Sequence, residues 1–130
     1  MNLLGSRDTV KLGMATLEDI NKEVIDYSKR LSIEVTTYQS NHEGDIIDRI
    51  QQANLEYTGV IINPGSFGHY SVGIKEAISA LSIPCIEVHL ANFFRNPANQ
   101  SIIAPVCTGM VSGFGKESYL VAVDALIKIV

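Results

Sequence analysis

The stretch T-G-V-I-I-N-P-G-S-F-G-H-Y, residues 58–70, decides the fold of this 130-residue chain. Residues 59–62 form a continuous apolar run rich in β-branched side chains, which is typical of a strand buried on both faces of a parallel sheet. Asn63, Pro64 and Gly65 end that run, because proline has no N–H for the ladder and glycine permits a sharp turn. Polar side chains follow at once, where open α/β sheets bind ligands. The stretch therefore predicts a buried strand with a site at its carboxyl end.

Outward from this strand, helical and strand-like patterns alternate along the chain. Thr16 with Asp19 three residues later predicts a weak capping box at the start of a helix. Helices are predicted at residues 16–31, around 44–53, at about 69–81 and from 116 onward, and strands at 33–38, 59–62, 84–90 and 102–107. This order predicts one domain, residues 1–130, with a doubly wound parallel sheet covered by helices on both faces. Nothing before Thr16 can serve as the opening hydrophobic strand, so the usual first strand is predicted to be absent.

Composition excludes several classes of function. The formal net charge of -4 gives no basic surface for nucleic acid or anionic membrane. No apolar run approaches the ~20 residues that a bilayer span needs, and the N-terminus has no signal-peptide pattern. Cys85 and Cys107 lie near apolar runs without C-x-x-C spacing, which favours two buried thiols in a reducing cytoplasm. We therefore expect a cytoplasmic protein without nucleic-acid or membrane partners.

Each of the three histidines of the chain lies after a predicted strand or near its carboxyl end. Because parallel strands end at one edge of the sheet, we expect His42, His69 and His89 to lie at that edge. Glu87 and His89 are two residues apart on one predicted strand and so point to the same face, where a carboxylate can hold a protonated imidazole as a general acid. The alternative is a surface pair of little consequence.

Other site chemistries find little support in the sequence. The phosphate-binding glycine motifs and the G-x-S-x-G nucleophile elbow are absent. A metal held by the three histidines and Glu43 is conceivable, but the usual ligand spacings are missing, so no metal site is predicted. Acid–base chemistry on a hydroxylated substrate is the function that these residues favour.

Short motifs along almost the whole chain resemble type II 3-dehydroquinate dehydratases. They are N-L-L-G-S-R at residues 2–7, T-L-E-D-I at 16–20, Q-S-N-H-E-G at 39–44, I-N-P-G-S at 62–66, I-E-V-H-L-A-N at 86–92, I-A-P at 103–105 and G-F-G at 113–115. The resemblance implies a flavodoxin-like domain that assembles as trimers, commonly four of them in a dodecamer. It also implies dehydration of 3-dehydroquinate to 3-dehydroshikimate, in the shikimate or quinate pathway, without a cofactor.

The resemblance also implies roles for individual residues. Asn63 and His89 would hold and protonate the departing hydroxyl, with Glu87 tuning that histidine. Arg7 matches the arginine that favours the charged form of the family's catalytic tyrosine. The implied substrate-binding residues are His69, Glu76 reaching a neighbouring subunit, the backbone of Leu90 and Ala91, Arg95, and Asn41 and Glu43 of the S-N-H-E-G motif.

The sequence departs from the family pattern at several places. In the family, the base that removes a proton from C2 of the substrate is a tyrosine just before a glycine. Here Leu12 precedes Gly13. Leucine cannot take a proton. Ala91 replaces the usual hydroxyl, and a second arginine is lost or loosely replaced by Arg95. The family's first strand is central, so its absence would leave a hole in the sheet. Two hypotheses follow: a dehydratase impaired at its base, and an inactive relative that keeps the pocket and oligomer surface for binding or scaffolding.

Overall fold

The computed structural model describes residues 1–6 and 13–130. In that part of the chain the helices are α1 (Leu17–Arg30), α2 (Glu43–Glu56), α3 (Val72–Ser79) and α4 (Glu117–Ile129). The strands are β1 (Val60–Ile62), β2 (Cys85–His89) and β3 (Gly109–Ser112). Short 3₁₀ helices occupy Gly65–His69, Phe93–Arg95 and Ala104–Val106.

The described strands form one parallel sheet in the order β1-β2-β3. Side chains of β2 alternate between two hydrophobic clusters, as the two-residue period of a strand requires. Cys85 packs with the α2 and α3 side, whereas Ile86 and Val88 pack against α4. The sheet is thus covered on both faces, which confirms the predicted flavodoxin-like α/β fold.

Helix α1 begins as the sequence predicts. The Thr16 side chain accepts a hydrogen bond from the Asp19 N–H, and the Asp19 carboxylate accepts one from the Thr16 N–H, at 3.1 and 3.0 Å. These bonds satisfy two of the donors that a helix start leaves open, and they lower the pKa of Asp19. At the other end of α1, the Tyr27 hydroxyl donates to Asp124 of α4 at 2.6 Å and joins the two helices.

The predicted strand at residues 33–38 is wrong. In the structure these residues have no regular secondary structure, and no described strand pairs with them. Their β-branched, alternating pattern favours a strand, but a strand also needs a neighbouring backbone with which to exchange hydrogen bonds. Residues 2–6 form turns, and residues 13–16, directly before α1, have no regular secondary structure. That the usual first strand is absent stays a prediction.

Two further boundaries differ from the sequence prediction. Instead of a strand at residues 102–107, the 3₁₀ helix Ala104–Val106 forms, with Pro105 inside it, and β3 begins at Gly109. Proline cannot donate to a ladder, whereas the Ser101 hydroxyl accepts from the Ala104 N–H and starts the turn. The helix predicted from residue 69 begins at Val72, because Ser71 caps it by accepting from the Ile74 N–H at 3.1 Å.

None of the described helices is long and apolar enough to cross a membrane.

Ser71 also joins α3 to α2, since its buried hydroxyl donates to the Glu43 carboxylate at 2.6 Å. We predict that Ser71→Ala lowers the free energy of unfolding by ~1–2 kcal/mol, because it removes the cap and the link together. Ser71→Thr should retain most of the stability, and Ser79→Ala at the exposed end of α3 is the control. Urea titrations measure all three, and equal losses from Ser71→Ala and Ser79→Ala would contradict the assignment.

Candidate active site

The end of β2 carries a histidine paired with a buried carboxylate. The Nε2 atom of His89 lies 2.9 Å from Oε2 of Glu87, so the two side chains share one face of the strand as predicted. An ionised carboxylate only accepts hydrogen bonds, so Nε2–H is the donor to Glu87. This bond leaves Nδ1 of His89 as the ring nitrogen that can exchange a proton with a ligand.

Ser101 completes the environment of Glu87, which is 0% exposed. The Ser101 hydroxyl donates to Oε1 of Glu87 at 2.7 Å, on the oxygen that His89 does not use. Burial of a carboxylate is costly unless its oxygens are hydrogen-bonded, and here both are. Ser101 therefore fixes the carboxylate that orients His89. Sequence reasoning missed this residue, because only the fold brings residue 101 next to residue 87.

Phe93 lies between the two histidines of the site. Its ring stacks on His89 with a centroid distance of 4.3 Å and on His69 with one of 5.8 Å. The Phe93 N–H donates to the Ser112 hydroxyl at 2.7 Å, which ties the ring to the end of β3. Phe93 thereby limits the rotation of the His89 ring. It is a second residue that the sequence did not single out.

His69 has a defined tautomer in its neutral form. Its Nδ1 lies 2.6 Å from the backbone carbonyl of Gln100, and a carbonyl can only accept, so Nδ1 carries the proton. Nε2 is then available to accept a hydrogen bond from a ligand hydroxyl. The same loop thus positions both histidines, through Gln100 for His69 and through Ser101 for His89.

Two adjacent backbone N–H groups lie just after β2. The carbonyls of Leu90 and Ala91 accept from the Gly115 N–H and the Ser112 hydroxyl, at 2.9 and 3.1 Å. Within residues 1–6 and 13–130, the N–H groups of the same two residues donate to no acceptor. Adjacent free N–H groups are suited to an anion, since each offers a donor whatever its side chain.

Asn63 follows β1 and has a neighbour that the sequence did not indicate. Its Oδ1 accepts from the Gly65 N–H at 3.1 Å, and its Nδ2 lies 3.2 Å from the sulfur of Met1. The Tyr119 hydroxyl contacts both the same sulfur, at 3.9 Å, and the Asn63 side chain. Burial raises the pKa of Tyr119 to about 12, against the opposing hydrogen bond from Asn63. A phenol held neutral in this way is not a base near neutral pH.

Other predicted site residues lie apart from this cluster or outside the described residues. Asn41 accepts from Gln39 at the exposed surface, Glu43 bonds Ser71, and Glu76 is exposed on α3. Arg95 is exposed at the end of its 3₁₀ helix. Arg7 and Leu12 lie outside the described residues. Of the three histidines, the structure brings His69 and His89 together on Phe93, whereas His42 is the N-cap residue before α2 and is exposed.

The cysteines take no part in this cluster. Both are free, and Cys85 is buried as predicted, whereas Cys107 is half-buried. The hydrogen bond with Cys107, and then burial, raise the pKa of the Cys85 thiol, so it is not a thiolate nucleophile near neutral pH. In the described part of the chain, no group of three or more histidine, cysteine or acidic side chains is arranged to hold a metal ion.

The fold is a flavodoxin-like parallel α/β sheet. At the carboxyl ends of its strands lies a histidine that the Glu87 carboxylate orients, an arrangement suited to acid–base chemistry. The sequence matches the family model "Dehydroquinase class II" over residues 1–127, and the chain belongs to that family.

Named relatives are similar over nearly the whole chain. The 3-dehydroquinate dehydratase of Bacillus subtilis (strain 168) is 43% identical over 129 residues, 98% of this chain and 87% of that protein. The 3-dehydroquinate dehydratase of Caldicellulosiruptor bescii is 46% identical over 132 residues, with 99% and 91% covered. The crystal structure of type II dehydroquinase from Butyrivibrio crossotus superposes with a TM-score of 0.91 at 39% identity, covering 97% of this chain and 90% of that one. These relatives confirm the resemblance that the sequence motifs indicate.

The raised pKa of Tyr119 predicts a pH dependence of stability. In the unfolded chain a tyrosine titrates near pH 10, so its neutral form contributes stability that is complete below ~pH 10 and is lost as the pH rises through 12. We predict that the free energy of unfolding falls between pH 10 and pH 12 in both proteins. The wild type should lose more of it than Tyr119→Phe, and the difference should be on the order of 2 kcal/mol. Tyr70→Phe, at an exposed tyrosine, is the control and should follow the wild type. Identical profiles for Tyr119→Phe and the wild type would contradict the burial of this hydroxyl.

Proposed function

We propose that this chain catalyses the dehydration of 3-dehydroquinate to 3-dehydroshikimate, without a cofactor, as a step of the shikimate or quinate pathway. The observation that carries the proposal is the buried Ser101–Glu87–His89 chain of hydrogen bonds, at 2.7 and 2.9 Å, at the carboxyl edge of the sheet. Family membership supplies the reaction, and this chain of bonds supplies a positioned proton donor for it.

His89 acts as the general acid. In its cationic form Nε2–H donates to Glu87, and Nδ1–H is the proton that passes to the departing hydroxyl, which leaves as water. The Glu87 carboxylate stabilises the positive ring before transfer and holds its orientation. Asn63, at the adjacent end of β1, offers its amide to the same hydroxyl. Breaking the C–O bond and removing the C2 proton together form the carbon–carbon double bond of the product.

The free N–H groups of Leu90 and Ala91 support binding of the substrate carboxylate. Both donors are available although Ala91 lacks the hydroxyl usual in the family, because the backbone provides them. His69, with Nε2 free to accept, would bind a ring hydroxyl. In the family's assembly, trimers or a dodecamer, Glu76 would reach a neighbouring site from its exposed position on α3. Asn41, Glu43 and Arg95 are exposed, and the resemblance to the family implies that they bind the substrate.

Leu12 limits the proposed activity. At the position of the family's catalytic tyrosine, leucine cannot remove the C2 proton, and the Tyr119 phenol is held neutral. We infer a dehydratase that keeps its acid and lacks its base, which costs on the order of 10²–10⁴ in rate. The second candidate is an inactive relative that binds the substrate without turnover, and Leu12 is the observation that favours it.

Replacing the general acid tests the function directly. We predict that His89→Gln lowers kcat by ~10²–10⁴, because glutamine cannot transfer a proton to the leaving hydroxyl. The ultraviolet absorbance of the conjugated product measures the rate. His42→Gln, at an exposed histidine apart from the Phe93 stack, is the matched control and should keep the wild-type rate. Equal losses in the two variants would remove His89 from the mechanism.

Substrate binding separates the two candidate functions. Both predict that 3-dehydroquinate raises Tm as its concentration increases, by mass action on the folded state. Product formation that His89→Gln abolishes supports the enzyme, and a Tm shift without any product supports the inactive relative. No shift at millimolar substrate would contradict both.

Leu12→Tyr tests whether the missing base limits the rate. With Arg7 retained, a phenol at this position can be charged and remove the C2 proton. We predict at least a tenfold rise in turnover, and none for Leu12→Phe, which adds the ring without the hydroxyl. Because an absent first strand could itself limit turnover, the same pair is also made on a chain extended by that strand. Two results would show that residue 12 is not the family's tyrosine position. One is that Leu12→Phe raises turnover as much as Leu12→Tyr does. The other is that the extended chain binds the substrate but Leu12→Tyr does not raise its turnover.

A further inference from the structure

The two cysteines of the chain lie together on one face of the sheet. Cys85 is the first residue of β2 and is buried, whereas Cys107 lies just before β3 and is half-buried. Both pack in the same hydrophobic cluster, between the sheet and helices α2 and α3. Because the side chains of a strand alternate, Cys85 shares its face of β2 with Glu87. The reaction proposed above uses neither thiol.

Backbone pairing sets the distance between the two cysteines. The Thr108 N–H donates to the Cys85 carbonyl at 2.7 Å, and the Thr108 hydroxyl accepts from the Cys85 N–H at 3.1 Å. Residue 108 thus continues the register that pairs Ile86 with Gly109, and Cys107 precedes it with an extended backbone. With ~4.8 Å between strands and ~3.3 Å along one, the Cα atoms of Cys85 and Cys107 are about 6 Å apart. A disulfide spans ~4.4–6.8 Å between Cα atoms.

The two thiols also contact each other. The hydrogen bond with Cys107, and then burial, raise the pKa of the Cys85 thiol. A hydrogen bond that favours the neutral form is one that the thiol donates, so the Cys85 S–H points to the Cys107 sulfur. Cys107 is the member of the pair that solvent can reach. The sulfurs therefore face each other, with one of them accessible to a small reagent.

We propose that Cys85 and Cys107 are a redox-active pair, which hydrogen peroxide converts into an intramolecular disulfide. Cys107 reacts first, because its sulfur is accessible. It bonds to one oxygen of the peroxide as the O–O bond breaks, and the other oxygen leaves as water with the Cys107 proton. The Cys85 sulfur then attacks the Cys107 sulfur; the S–S bond forms, the S–O bond breaks, and the hydroxide leaves as water with the Cys85 proton. The two thiols lose two electrons, and the peroxide becomes two waters.

The disulfide would close a loop of residues 85–107. This loop contains Glu87, His89 and Ser101, so oxidation would join the two ends of the segment that carries the candidate site. A closed loop restricts the unfolded chain and thereby stabilises the fold. Under reducing conditions both residues remain thiols, and the bond forms only when an oxidant is present. This inference is independent of the reaction proposed above.

Peroxide treatment of the 130-residue chain, followed by peptide mapping without a reductant, tests the pair. Trypsin cleaves after Arg95, so the two cysteines fall in separate peptides, residues 76–95 and 96–116. We expect these peptides to be joined, in a product with the mass of one chain. Dithiothreitol should restore both thiols. The oxidised chain should have a Tm several degrees above that of the reduced chain.

Two single variants separate the two steps. In Cys85→Ala, oxidation of Cys107 should stop at the sulfenic acid, which dimedone traps as an adduct. The wild type should give no more than about a tenth of that adduct, because Cys85 consumes the sulfenic acid. In Cys107→Ser, the buried Cys85 should lose its thiol at least tenfold more slowly than Cys107 does in Cys85→Ala. If a variant does not fold, the peptide map of the wild type decides alone.

Four outcomes would overturn the proposal. The peptides are joined only in a product with the mass of two chains. Cys107 is oxidised while Cys85 remains a free thiol. Neither thiol is lost at a peroxide concentration that oxidises the exposed Met14, which serves as the internal control. The disulfide forms but does not raise Tm, which would show that it does not fit the folded chain.

Discussion

The arrangement of the candidate site at the carboxyl edge of the sheet depends on the hydrogen bonds that the buried Glu87 carboxylate requires. A charge in the middle strand of a sheet is tolerated only when its oxygens are hydrogen-bonded, and Ser101 and His89 provide those bonds. Ser101 comes from a loop distant in sequence, so the loop must return to the strand. The requirement of one side chain thus determines the path of about ten residues after β2.

That path places the remaining groups of the site. The loop leaves β2 at Leu90 and Ala91, whose N–H groups have no acceptor among the described residues, then places Phe93 against His89. It returns with the Gln100 carbonyl on His69, and Ser101 both bonds Glu87 and starts the following 3₁₀ helix. A single segment therefore holds the proposed proton donor, the proposed carboxylate site and the second histidine in one arrangement.

The sequence predicted those features that depend on local periodicity. Glu87 and His89 share a face because a strand has a period of two, and the Thr16–Asp19 capping box needs only residues within one turn. The sequence-based prediction was wrong where secondary structure depends on pairing with a distant strand. Residues 33–38 have the composition of a strand but no partner in the described sheet. Ser101, Phe93 and Tyr119 were missed because no motif marks them and only the fold brings them to the edge.

The tautomer of His89 tests the central claim most directly. In ¹⁵N-labelled protein above the titration range of histidine, long-range ¹H–¹⁵N correlations distinguish the two ring nitrogens. The account predicts that His89 carries its proton on Nε2, facing Glu87, and that Ser101→Ala increases exchange between the two tautomers. A neutral ring with its proton on Nδ1, or an unchanged spectrum in Ser101→Ala, would contradict the view that the buried carboxylate orients the general acid.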